Sequence, residues 1–181
     1  MQLRTELQHA WATAVETMDL FSGSRLKYDD ADDALVKFFA IASSLMADHE
    51  NTAPIPGVDG SKYDMRCELE SLNSQTRALA RLNEYSQLVK SHSKDPNTKA
   101  VILKLDMETQ NLETTPYSSM RSAEKNLAEL EADASDSIDV VLVQVQKIHQ
   151  LRRAYPNYFA DTEQFSKFIA SQLDFVNSGR R

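Results

Sequence analysis

The sequence predicts an α+β fold, with helices first and a small mixed module after them, and three observations carry that expectation. Apolar residues recur at gaps of three and four through most of residues 1–90, which is helical spacing. Two short apolar runs, AVILKLDM at 100–107 and IDVVLVQV at 138–145, the second rich in β-branched side chains, then break that period. A helical pattern returns between and after them. Strands segregated from a leading helical block fit α+β, not a doubly wound sheet of alternating strand–helix units.

Residues 1–5 read as a strand, with Gln2 and Arg4 on one face and Met1 and Leu3 on the other, because side chains alternate along extended chain. Leu7, Trp11, Ala14, Val15 and Met18 then line one side of a first amphipathic helix over 5–20, and Ser22, Gly23 and Ser24 mark a turn. Asp29, Asp30, Asp32 and Asp33 precede a second helix over 32–50, where carboxylates favour the positive end of the helix dipole. Its apolar side is Leu35, Phe38, Phe39, Ala42, Leu45 and Met46. TAPIPGVDG, at 52–60, ends it as an ordered loop, since proline cannot continue a helix interior. Residues 61–90 contain no proline or glycine, and Met65, Leu69, Leu72, Thr76 and Leu79 approach a heptad seam, so one long helix is expected.

Beyond the polar stretch at 91–98, the strand at 100–107 is expected to pair through Glu108 and Thr109 with 110–117 as a hairpin. Met120, Ala123, Leu127, Leu130 and Ala134 face inward from a helix over 118–133. The near-continuous apolar run of 138–145 predicts a strand buried on both faces. A short helix at 149–155, a loop at Pro156 and a last helix at 161–175, with Phe165, Phe168, Ile169, Gln172 and Leu173 along one side, complete the chain. The division falls near 91–97, between a mainly helical region at 1–90 and a small α+β module at 98–181.

A domain of 181 residues buries about 70% of its unfolded surface and folds without covalent staples. The single cysteine, Cys67, has no internal disulfide partner and lies beside Glu68, a setting that disfavours a thiolate; a reducing, cytoplasmic environment fits it. No apolar run approaches the roughly 18 residues of a membrane span, and no signal-peptide pattern opens the chain. A net charge of -7, with the basic candidates Lys147, Arg152, Arg153, Arg180 and Arg181 dispersed, argues against a nucleic-acid backbone binder.

Four glycines form no phosphate cradle, and the sequence holds no nucleophile elbow, HExxH or CxxC. His9, His49, His92 and His149 show no metal-ligand spacing. The aspartates at 29–33 lack the glycine and terminal glutamate of a calcium loop and read as dipole complements. Trp11, Phe38 and Phe39 read as core. In RAYPNYFADT (153–162), Tyr155, Tyr158 and Phe159 are expected to pack the turn onto the sheet, with Asp161 or Thr162 capping the last helix.

The opening stretch QLRTELQHAWA resembles the QIRT/QLRT strand and ensuing helix of the RelA/SpoT alarmone synthetases, whose motif runs Glu, apolar, Gln, apolar, Arg, Thr into a helix of the type LQHAWAEIEH. Met1 takes the apolar position, and the glutamate belongs one residue earlier. The similarity is specific over residues 2–16; the second histidine of the helix is missing, although Glu16 remains. RAYPNYFADT also looks like the C-terminal part of some RelA/SpoT-domain proteins, which extends the similarity to most of the chain.

The resemblance implies pyrophosphoryl transfer from ATP to the 3′-hydroxyl of GDP or GTP, with magnesium, to make the (p)ppGpp of the stringent response. It puts Gln2, Arg4 and His9 on the active-site face, with Trp11 and Glu16 supporting. It also assigns the ATP site, the metal-binding aspartate and the glutamate to segments upstream of the motif, so the chain is expected to be the C-terminal portion of such a synthetase, inactive alone, with no cofactor of its own. The alternative is an interaction or regulatory module that dimerises or binds a partner, a companion synthetase half included, using the seam from Met65 to Leu79.

Overall fold

A computed structural model of the protein describes residues 4–21, 33–53, 55–92, 97–106, 109, 111–133 and 137–179. Among them the elements run α1 (Glu6–Phe21), α2 (Asp33–His49), α3 (Lys62–Thr76), α4 (Ala78–His92), β1 (Ala100–Asp106), β2 (Leu112–Tyr117), α5 (Met120–Asp133), β3 (Ile138–Gln144), α6 (Val145–Ala154) and α7 (Tyr158–Gly179). This is an α+β architecture with its helices leading. Two compact units divide the chain: one holds Met1–Asp19, Ser24–Asn83 and Asn157–Arg181, the other Leu20–Gly23 and Glu84–Pro156.

In the first unit α3 packs against α2 and α7. Leu35, Phe38, Ile41 and Leu45 of α2 are almost fully buried, with Ala14 and Met18 of α1 and Phe165 and Ile169 of α7. Phe39 joins the layers, stacking on Phe165 at 5.7 Å and meeting Phe38 edge-on at 5.3 Å. Ion pairs from Lys37 to Glu68 and from Lys62 to Asp48 join α2 and α3, the register of an antiparallel pair.

The single helix expected over 61–90 is two. Arg77 adopts φ 53, ψ 30, the left-handed conformation that ends helices, and its N–H reaches the Asn73 carbonyl at 2.8 Å. The polar run NSQT supplies the break: Asn73 Oδ1 accepts the Leu79 N–H at 3.1 Å, and Thr76 Oγ1 accepts that of Ala78 at 3.3 Å. Those side chains satisfy donors that a new helix start leaves open. At the other end of α3, Ser61 and Asp64 form a reciprocal capping box.

In the second unit the sheet order is β2-β1-β3, antiparallel throughout, with Ala100 opposite both Tyr117 and Gln144. The expected hairpin is present; Thr109 N–H bonds Asp106 Oδ1 at 2.9 Å in its turn, while Glu108 lies outside the described residues. The buried central strand is β1, not β3: Ala100, Val101, Ile102 and Leu103 are all inaccessible, whereas β3 is paired on one side and only Val143 is fully buried. Burial of β3 on both faces is therefore corrected: Ile138, Val140, Val141 and Leu142 are only half-buried, although α5 packs against the strand. The helix expected at 149–155 begins earlier, as Val145, Ile148 and Leu151 turn inward from α6.

Several expectations fall outside the described residues: the turn at Ser22 to Ser24, the aspartates 29, 30 and 32, Pro54, Ala134, Arg180 and Arg181.

Candidate functional site

The first unit brings the start of α1 against the start of α7, and the local sequence explains both. The expected strand at 1–5 does not extend to Arg4 and Thr5; residues 1–3, including Gln2, lie outside the described residues. Thr5 is instead the cap of α1. Its Oγ1 accepts the Gln8 N–H at 3.1 Å, and Gln8 Oε1 accepts the Thr5 N–H at 3.3 Å, the reciprocal pattern that a Thr-x-x-Gln sequence offers. That local exchange competes directly with an extended conformation.

With α1 started at Glu6, His9, Thr13 and Thr17 fall four residues apart on one face. Tyr158 and Asp161 meet that face from the first turn of α7. Asp161 and Thr162 therefore lie inside the helix and do not cap it: Asp161 N–H already bonds the Asn157 carbonyl at 3.0 Å, and Thr162 Oγ1 donates to the Tyr158 carbonyl at 2.9 Å. Tyr158 packs into the helical unit, not onto the sheet, and Tyr155 closes α6 through its N–H to the Leu151 carbonyl.

The protons along this seam can be followed. Thr17 Oγ1 donates to the Thr13 carbonyl at 2.7 Å and stands 3.3 Å from the Tyr158 hydroxyl. Burial pushes the Tyr158 phenol up to about 12, with the Thr17 hydrogen bond opposing the shift. Thr13 Oγ1 has one proton between the His9 carbonyl at 3.1 Å and Asp161 Oδ2 at 3.4 Å. His9 Nε2 stands 3.4 Å from the same Oδ2, with the Asp161 side chain 10% exposed and the imidazole 39%. A carboxylate this buried needs compensation: the Thr13 hydroxyl reaches one of its oxygens as a donor, and the imidazole stands within ion-pairing distance of the same oxygen.

One turn along both helices from His9 and Asp161, an open cleft of about 520 Å³ is lined by Glu6, Leu7, His49, Glu50, Gln164 and Phe168. Gln8 Nε2 holds Glu50 Oε2 at 3.3 Å at its side, and His49 meets Phe168 edge-on at 5.6 Å.

Of the residues singled out from sequence, His9 joins this seam. Trp11 turns to α2, where its Nε1–H donates to the Phe39 carbonyl at 3.1 Å. Arg4 is exposed ahead of the helix and Glu16 is half-buried farther along it. Sequence reasoning missed Thr13, Thr17 and the role of Asp161. The available signal was polar residues at four-residue spacing in an otherwise apolar helix.

No family model matches the chain, and no curated protein matches it. Among the described residues no three His, Cys, Asp or Glu side chains gather as a metal ion needs, so the magnesium that the resemblance implies is assigned to no residue here. Among them, too, no helix is long and apolar enough to cross a membrane.

Proposed function

We propose that this chain is the C-terminal part of a RelA/SpoT-like alarmone synthetase of the cytoplasm, in which α1 and its preceding Gln-Leu-Arg-Thr motif close the active site. What supports the reading is one observation: the two stretches that resemble the family, residues 2–16 and 153–162, meet through Thr13 and Asp161, 148 residues apart. Proteins keep distant segments in contact when they serve one packed unit. On this reading Gln2, Arg4 and His9 face GDP or GTP, while ATP and magnesium are held by residues that precede the motif in the family. The chain alone then makes no product. The test is purified chain with magnesium, ATP and GDP or GTP, followed by nucleotide separation; no (p)ppGpp is expected, and its formation overturns the assignment of the ATP half elsewhere.

The interaction-module reading is favoured by a different observation. Tyr63 and Phe175 are 60% and 58% exposed, and the Arg66 guanidinium lies 4.1 Å over the Phe175 ring. The seam from Met65 to Leu79 is largely consumed within the unit, since Leu69, Leu72 and Thr76 are buried. A docking face on α3 and α7 would therefore use Tyr63 and Phe175. Sedimentation across a dilution series, repeated with Tyr63→Ser and Phe175→Ser, tests it: concentration-dependent association lost in the variants supports a homodimer, and a monomer throughout removes it.

A further inference from the structure

The geometry points to Asp161 as a positioning residue that fixes the ring of His9, an inference that rests on the synthetase reading for its functional meaning but not for its test. Three features carry it. Asp161 Oδ2 is 3.4 Å from His9 Nε2, the carboxylate is nine-tenths buried, and the imidazole retains 39% of its surface. The carboxylate thus anchors one nitrogen from the protein side while the ring keeps access to solvent.

The proton arrangement follows from the partners. An ionised carboxylate only accepts, so the ring nitrogen facing it carries a proton, and in the neutral imidazole the lone pair then resides on Nδ1. Thr13 Oγ1 also reaches Asp161 Oδ2, at 3.4 Å, with its single proton shared with the His9 carbonyl at 3.1 Å. The first turn of α7 adds the positive end of its helix dipole beneath Asp161. A buried acid that orients an accessible imidazole is the arrangement by which enzymes select one tautomer and one ring direction. His9 would touch the nucleotide; Asp161 would act only through His9.

The test is ring-nitrogen NMR of the 181-residue chain labelled at histidine, with His9→Gln assigning the signal. The neutral ring of His9 is expected to carry its proton on Nε2, protected from solvent exchange. Asp161→Ala is expected to lose that protection, and Asp161→Asn, which keeps an acceptor oxygen, to retain it. A neutral ring protonated on Nδ1 in the unaltered chain overturns the inference without any variant having to fold. So does protection that survives Asp161→Ala with helix content intact. Failure of the synthetase reading is seen separately, as absence of (p)ppGpp synthesis from a protein extended upstream of Met1 while the His9 signal is as expected.

Discussion

The hydroxyls of Tyr158 and Thr17 lie 3.3 Å apart inside the helical unit although 141 residues separate them in sequence. Tyr158→Phe removes the phenol hydroxyl and leaves the Thr17 bond to Thr13 intact, so a loss of about 1 kcal/mol in urea unfolding is expected.

The same phenol sets an alkaline limit. Its value is raised from 10.0 to about 12, so its contribution is fully present below pH 10 and is lost as pH rises through 12. Stability should fall with pH across that window, and Tyr158→Phe should flatten the fall. Denaturant midpoints at a series of alkaline pH values measure both.

Acid acts on other groups. The Lys62 hydrogen bond and charge hold the Asp48 carboxyl below its ordinary 3.8, and Ser61 holds Asp64 below it by side-chain and backbone hydrogen bonds. Carboxyls lowered in the folded state contribute above their unfolded value, and that contribution disappears as pH falls through the folded one. Ser61→Ala should cost about 1 kcal/mol at neutral pH. The difference from the parent chain should shrink below pH 3.8 as Asp64 becomes protonated, as read from thermal melts.

At the α3–α4 junction, Asn73→Ala removes the acceptor of the Leu79 N–H and should destabilise by about 1 kcal/mol. Helix content by circular dichroism should hardly change, because the left-handed Arg77 still separates the helices. A gain in helix content would mean that the two had fused.

Trp11 reports on the same unit, being the sole tryptophan of the chain. Its Nε1–H bond to Phe39 predicts that Trp11→Phe costs about 1 kcal/mol. In the parent chain, its emission should shift red together with the loss of helix signal.

Periodicity made most elements legible. The gaps among Leu35, Phe38, Ala42 and Leu45 set α2, and the apolar run from Ala100 set β1, because a buried stripe constrains many residues at once. Junctions were harder to read. The break at Arg77 depends on two polar side chains turning back to bond backbone N–H groups, and the Thr5 to Gln8 exchange turns a strand-like opening into a helix cap. Those outcomes rest on single hydrogen bonds that leave no period. β3 was misread for another reason: its composition gives β preference, while its position at the sheet edge is decided by pairing with β1. The seam was half legible, with His9 identified through the resemblance and Asp161 recognised only when α7 met α1.

The most direct measurement reads the coding DNA upstream of Met1 in frame and assays the extended product with ATP, GDP or GTP and magnesium. The account predicts a glutamate codon immediately before Met1, an aspartate-bearing basic segment ahead of it, and (p)ppGpp synthesis by the extended protein that falls with Arg4→Ala and His9→Gln. An extended protein with no such glutamate, or one that makes no (p)ppGpp while folding with the α1–α7 seam intact, would contradict it.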